Sequence, residues 1–284
     1  MLWCMTRTNG GSPKARVVGA ELRKAREERG IGVRELARRL GTTHSKLSRY
    51  ENGQGVASSE FVASALTALE VPEAERDRVL DLVKGRQWTN WLAPNAPGLH
   101  QELTTLIEFE RSASSITEVS TFVMSGLLQT SDYARAVMSD LPVADLETRV
   151  TLRVGRREVL NSKVPPEFES LVMESALRTN IGGREVMAEQ LRHLVTMAAK
   201  PNIAVRVVPD SDQWHPGHAG SYILFKFPGS GPIVHLEHYN SRVFLHEAED
   251  TCLYQEATDK LRELAMSEEE SRLLIAETAE GLET

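Results

Sequence analysis

The stretch LRKAREERGIGVRELARRLGTTHSKLSRYENG, residues 22 to 53, constrains the chain more than any other. Val18, Leu22 and Ala25 form one helical stripe that stops at Gly30, a residue that enters the left-handed conformation at little cost. Val33, Leu36, Ala37 and Leu40 then follow the i, i+3, i+4, i+7 spacing of an amphipathic helix and stop at Gly41. Thr42 or Thr43 can cap a third helix, with Leu47 and Tyr50 on its inner side and Asn52-Gly53 at its end.

Two short helices meeting across a tight glycine turn is the pattern of a helix-turn-helix, whose second helix offers its N-terminal side chains to the major groove. The charge agrees with that pattern. From Lys14 to Gln54 there are eleven Lys or Arg against five Glu, a local charge of +6 in a chain of net charge -7. A basic island on an acidic chain draws a polyanion to one surface while the rest repels it. Thr43, His44, Ser45, Lys46 and Arg49 fall on the side away from the apolar stripe, carrying donors and acceptors that read base edges or hold phosphates.

On these residues the segment resembles the Cro/repressor, or Xre-type, helix-turn-helix family over roughly residues 17 to 70. The resemblance implies a five-helix all-α domain. His44, Ser45 and Arg49 fall where base-reading side chains sit, and Lys46 and the Asn52 amide where phosphates are held. Arg26 and Glu51 occupy positions that form a buried ion pair in some relatives. Val33 departs from the family's usual glutamine at the first turn of the second helix, and Gln54-Gly55-Val56-Ala57 lacks the basic residues often found after the motif. SSEFVASALTALEV and PEAERDRVLDLV read as two further scaffold helices.

The remainder reads as a second domain. The expected organisation is a tail over 1–13, the helix-turn-helix domain over 14–84, a linker over 85–98 and an α+β domain over 99–284. In the linker, Trp88 and Trp91 either anchor domains or subunits or lodge in the second core. SITEVSTFV, EFESLVMESAL and NIAVRVVPD read as extended segments, and SYILFKF, PIVHLEH and SRVFLHE as a meander. SDYARAVMSDL, DLETRVTLRVGRREVLNS, GREVMAEQLRHLVTMAA and LYQEATDKLRELAM read as helices. The arginine-rich face of the second of these is expected in solvent. Ser267 and Glu270 form a capping box before a last helix. The expected sheet is small and mostly antiparallel, with flanking helices.

GLLQTSDYARAVM, GHAGSYILFKF, PIVHLE and LAMSEEESRLLI, in that order, resemble the C-terminal domain of actinobacterial regulators of the WhiJ-like kind, with Ser125 in place of a usual proline. The resemblance implies a transcriptional regulator of development or secondary metabolism and a small BldB-like partner protein. Gln129, Tyr133 and Arg135, at a turn and first helical turn, can equally contact a ligand or partner, cap or pack; Trp214, His218 and Tyr222 in a later loop could cover the same cavity.

Catalytic chemistry finds little support. No phosphate loop, nucleophile elbow or HExxH motif occurs. His215 and His218, and His235 and His238, are spaced three apart, but the second pair lies in an expected strand, where such positions point to opposite faces. No cofactor, metal or catalytic residue is therefore expected. No apolar run approaches the ~18 residues that would span a bilayer, MLWCMTRTNGGSPKAR lacks a signal-peptide core, and Cys4 and Cys252 form no disulfide framework. The expectation is a cytoplasmic, homodimeric, sequence-specific transcriptional regulator of operator DNA, whose second domain senses a small molecule or docks a small protein. The alternative is an antitoxin-like protein that mainly binds the small partner.

Overall fold

Helix α1 (Pro13–Glu28) runs along the first core with Val18, Leu22 and Ala25 buried beneath it. The computed structural model describes residues 13–55, 57–84, 91–94, 99–139, 143–238 and 241–283. The expected tail lies outside these except for Pro13, and of the expected linker only Trp91–Pro94 is described; Trp88 is outside. The described residues form two compact units. One holds the chain up to Ser112 with Lys226–Ile233 and His238–Asp250; the other holds Ala113–Phe225, Val234–Glu237 and the chain from Thr251.

In the first unit α1 is followed by α2 (Val33–Arg39), α3 (His44–Glu51), α4 (Ser59–Ala68) and α5 (Glu73–Lys84). Gly30, Gly41 and Gly53 separate the first four at φ of 63°, 60° and 65°. Thr43 and not Thr42 caps α3, its side chain accepting from Lys46 N at 3.3 Å. Ser58 caps α4 in the same way. Leu36, Ala37, Leu47, Val62, Leu66 and Val79 complete the core begun by α1. Tyr50 is half-buried and meets Phe61 edge-on, with ring centroids 5.0 Å apart. Helix α6 (Leu99–Ser112) buries Phe109 between Phe227 and Phe244.

The sheet is larger than expected, and mixed. Six strands lie in the order β7-β6-β5-β2-β3-β4, and the short β1 (Trp91–Pro94) adds antiparallel to β7. These strands are β2 (Ser115–Ser120), β3 (Glu167–Met173), β4 (Ile203–Val208), β5 (Tyr222–Phe227), β6 (Ser230–His238) and β7 (Ser241–Leu245). The anticipated meander is β5-β6-β7. The extended segments read upstream join it as β2, β3 and β4, and they run parallel, with Ser115 opposite Glu167 and Phe168 opposite Ile203. Long helical connections cause this, because a crossover of a dozen or more residues returns the chain in the same direction where a hairpin reverses it. Helices α7 (Ser131–Val137) and α8 (Val143–Gly155) link β2 to β3, and α9 (Glu174–Arg178) and α10 (Arg184–Ala198) link β3 to β4. Near-continuous burial along β3 is what a strand covered on both faces requires.

Helix α11 (Ala248–Leu264) and α12 (Glu268–Glu283) close the chain. The Ser267–Glu270 capping box is present: Ser267 N donates to Glu270 Oε2 at 2.9 Å, and Glu270 N to Ser267 Oγ at 3.3 Å. The α11–α12 junction also seals β4, the last strand in the order. Met266 N donates to Val207 O and Val207 N to Ser271 Oγ, so that residue leaves neither backbone group open to edge pairing. Arg206 donates to the carbonyls of Arg262, Ala265 and Met266 at the end of α11. Among the described residues no helix is long and apolar enough to cross a membrane.

Gly19 marks where α1 crosses α3. A Cβ there would stand 2.2 Å from Tyr50 O and 3.0 Å from Glu51 O, which are backbone atoms that cannot swing away. Gly19→Ala is expected to cost ~1–3 kcal/mol, the usual cost of overpacking, seen as a lower urea midpoint of the first unfolding transition. An unchanged midpoint would mean that the two helices separate without loss.

Candidate nucleic-acid interface

Helix α3 divides into two sides. Leu47 and Glu51 are buried, whereas Thr43, His44, Ser45, Lys46, Arg49 and Asn52 are exposed. Ser45 and Arg49 lie one turn apart and therefore share a face. Among the described residues, the side chains of His44, Ser45 and Arg49 are committed to no intramolecular hydrogen bond. Lys46 places its ammonium 5.8 Å from the centre of the Tyr50 ring, a cation–π contact that holds the charge near the helix surface.

The buried side is held by charge. Arg26 grips Glu51 side-on, Nε to Oε1 at 2.8 Å and Nη2 to Oε2 at 2.9 Å, while its Nη1 donates to Ile31 O. The two side chains are 12% and 5% exposed. Hydrogen bonding to Glu51 raises the Arg26 pKa above its ordinary value, against the opposing effect of burial. Arg23, which sequence reasoning did not single out, donates to Glu51 O at 2.6 Å and to Asn52 Oδ1 at 2.8 Å. Asn52 also donates to Ser48 Oγ at 3.3 Å, so its amide is engaged within the module. The signal for Arg23 was its position three residues before Arg26, on the same side of α1. On α2, Glu35 pairs with both Arg38 and Arg39, and Arg39 reaches Ala68 O. That leaves the exposed Arg34 as a further cation beside the motif.

The second domain's candidate residues occupy separate places. Gln129 is buried at the turn after Gly126–Leu128, donating to Met124 O at 2.7 Å. Tyr133 is fully buried on α7, and its hydroxyl accepts from Met124 N at 3.2 Å. These two thus converge on one residue. Arg135 is on the surface, paired with Asp132 and with Glu147. Trp214 is 70% exposed with the Lys260 ammonium 5.9 Å from its ring. His218 Nδ1 accepts from His215 N, and the two rings stack with centroids 3.9 Å apart. Tyr222 is buried, its hydroxyl 3.0 Å from Thr258 Oγ1. Among the described residues no group of three or more His, Cys, Asp or Glu is placed to hold a metal ion.

One expectation about this domain fails. The arginine-rich stretch after α8 is not wholly in solvent: Arg157, in the 3-10 turn Arg156–Asn161, is part-buried and donates to Gln129 O. Arg153, one helical turn earlier, donates to Gln129 Oε1 at 3.2 Å. The spacing of four between them was the available signal.

Residues 17–79 match a family model described as a helix-turn-helix domain, the span that holds α2, α3 and α4 entire. Residues 103–277 match one described as a domain of unknown function, DUF5753. No curated protein and no solved structure matches the chain.

The Arg26–Glu51 pair makes a double test. Glu51→Ala strands a part-buried guanidinium and is expected to destabilise by roughly 3 kcal/mol, as broken buried pairs do. The combined Arg26→Met and Glu51→Leu exchange removes both charges and should recover most of that loss. Chemical denaturation reads both, and equal losses in single and double variants would mean that the charge itself is not what α3 depends on.

Proposed function

We propose that this chain, which belongs to the DUF5753 family, is a sequence-specific transcriptional regulator of the Xre type and the WhiJ-like kind. Its helix-turn-helix module binds DNA. The observation that carries the reading is the partition of α3: a buried, charge-locked side on Leu47 and Glu51, and an opposite side where His44, Ser45 and Arg49 are exposed and uncommitted. A recognition helix needs that division, because side chains spent on internal bonds have no donors left for base edges.

Several finer features belong to the same proposal. The regulator works in the cytoplasm as a homodimer on two half-sites, because one module reads only a few base pairs. It acts by binding and not by catalysis. Its second domain senses a small molecule or docks a small BldB-like protein. Support for sensing is the polar hub at Gln129, where α8, the turn before α7 and the segment after β2 meet through hydrogen bonds.

The test is binding to operator and random duplexes over a range of salt. Binding should weaken steeply with salt, since phosphate contacts release counterions. Arg49→Ala should narrow the preference for operator by about 1–3 kcal/mol if it reads a base. Equal weakening on both duplexes would reassign Arg49 to a phosphate, and salt-independent binding would defeat the reading.

A further inference from the structure

The C-terminal end of α3 is the unfavourable end of a helix to bring toward a phosphate. The dipole is negative there, and the last carbonyls point outward without partners inside the helix. In this chain each carbonyl of the final turn, from Ser48 to Glu51, is covered. Ser48 O accepts from Asn52 N, Arg49 O from Gln54 N and Tyr50 O from Gly53 N, all main-chain donors. Glu51 O is covered by a side chain instead, Nη2 of Arg23 at 2.6 Å. The Glu51 carboxylate is taken by Arg26.

The same Arg23 Nη2 donates to Asn52 Oδ1 at 2.8 Å. That bond decides which way the Asn52 amide faces. Its other partner, Ser48 Oγ at 3.3 Å from Nδ2, is a hydroxyl, which can accept from the amide nitrogen or donate to the amide oxygen equally well. A guanidinium only donates, so it excludes the reversed amide, which would set N–H against N–H. With the oxygen held by Arg23 and one Nδ2 hydrogen by Ser48, the second Nδ2 hydrogen of this exposed side chain is uncommitted among the described residues.

We infer that Arg23 is a positioning residue of the DNA interface: by covering Glu51 O and holding Asn52 Oδ1, it turns the acceptor-rich end of α3 into a donor face, from which Asn52 Nδ2–H holds a backbone phosphate. The partner is a phosphate and not a base edge, because the C-terminal end of α3 lies away from the N-terminal residues that enter the groove. Such a contact fixes the module on the duplex and adds affinity without sequence preference. The inference rests on the regulator reading above.

The experiment is binding of the full chain to operator and random duplexes by fluorescence anisotropy at several salt concentrations, for wild type, Arg23→Met, Asn52→Ala and the double variant. Arg23→Met is expected to weaken binding to both duplexes by the same factor, about fivefold or more, and to lower the salt slope by about 1, the share of one phosphate. In the Asn52→Ala background the same exchange should cost no more than about twofold, since the amide that Arg23 orients is gone. Arg23→Lys, whose ammonium also only donates, should restore most of the loss. A residue that merely stiffened α3 would give equal losses with and without Asn52; that result overturns the inference, as does unchanged binding by Arg23→Met. Melting curves establish that each variant is folded. Where Arg23→Met is not, Asn52→Asp decides, because it keeps the oxygen that Arg23 holds and removes the donor: equal loss on both duplexes supports the inference, and undiminished binding overturns it. Salt-independent binding by wild type defeats the regulator reading and the inference with it, whereas the other failures leave that reading standing.

Discussion

A guanidinium and a carboxylate withdrawn from water, Arg26 against Glu51, set the pose of the helix on which the first unit's chemistry rests. Helix α3 has eight residues, too few to be stable alone. Its place must come from what holds it. Leu47 supplies apolar burial, but burial is non-directional and would tolerate rotation about the helix axis. The side-on pair does not, since two parallel N–H···O bonds fix both distance and angle. Arg23 adds a second grip on the final turn, where the helix dipole favours a cation. Gly19 lets α1 approach closely enough for both arginines to reach. The exposed face of α3 is therefore defined by its buried face.

The second domain solves a different problem. Parallel strands must be covered on both faces, which obliges long connections to cross over the sheet and brings polar turns into the interior. Each such turn needs its backbone groups satisfied. Gln129 and Gln190 do this on the β2 to β3 connection, using side-chain amides where a ladder is not available. At the far edge of the sheet, Arg206 and Ser271 do the same for β4 and the end of α11. The stretch GLLQTSDYARAVM stands out in the sequence partly because it carries this internal bonding: Tyr133 and Gln129 both hold Met124.

How much of this the sequence disclosed depended on the range of the interaction. The helices of the first unit were legible because apolar spacing and glycine stops are local, and three glycines at positive φ leave few alternatives. The strands β5, β6 and β7 were legible for the same reason, being joined by short turns. Assembly of β2, β3 and β4 into the same sheet was not, because a strand's neighbours and direction are set by distant contacts, as with Ser115 opposite Glu167 and Phe168 opposite Ile203. Among site residues, the exposed side of α3 followed from periodicity. Arg153 and Arg157, which bond Gln129, escaped notice because a sequence does not say which face of an arginine-rich stretch turns inward.

Charge compensation separates structural cations from the others in both units. Arg38 and Arg39 share Glu35; Arg178 meets Glu174 and Asp210; Arg262 meets Glu169 and Asp259; Arg272 meets Glu269. Such pairs at the surface contribute little stability, yet they cancel local potential and leave no strong field behind. Arg49 on α3 differs, because it is exposed and, among the described residues, its side chain meets no carboxylate. An uncompensated guanidinium on an exposed helix creates the attraction that a phosphate backbone or a guanine edge would answer. The exposed side of α3 is where such an attraction is left open, on a chain whose net charge is negative.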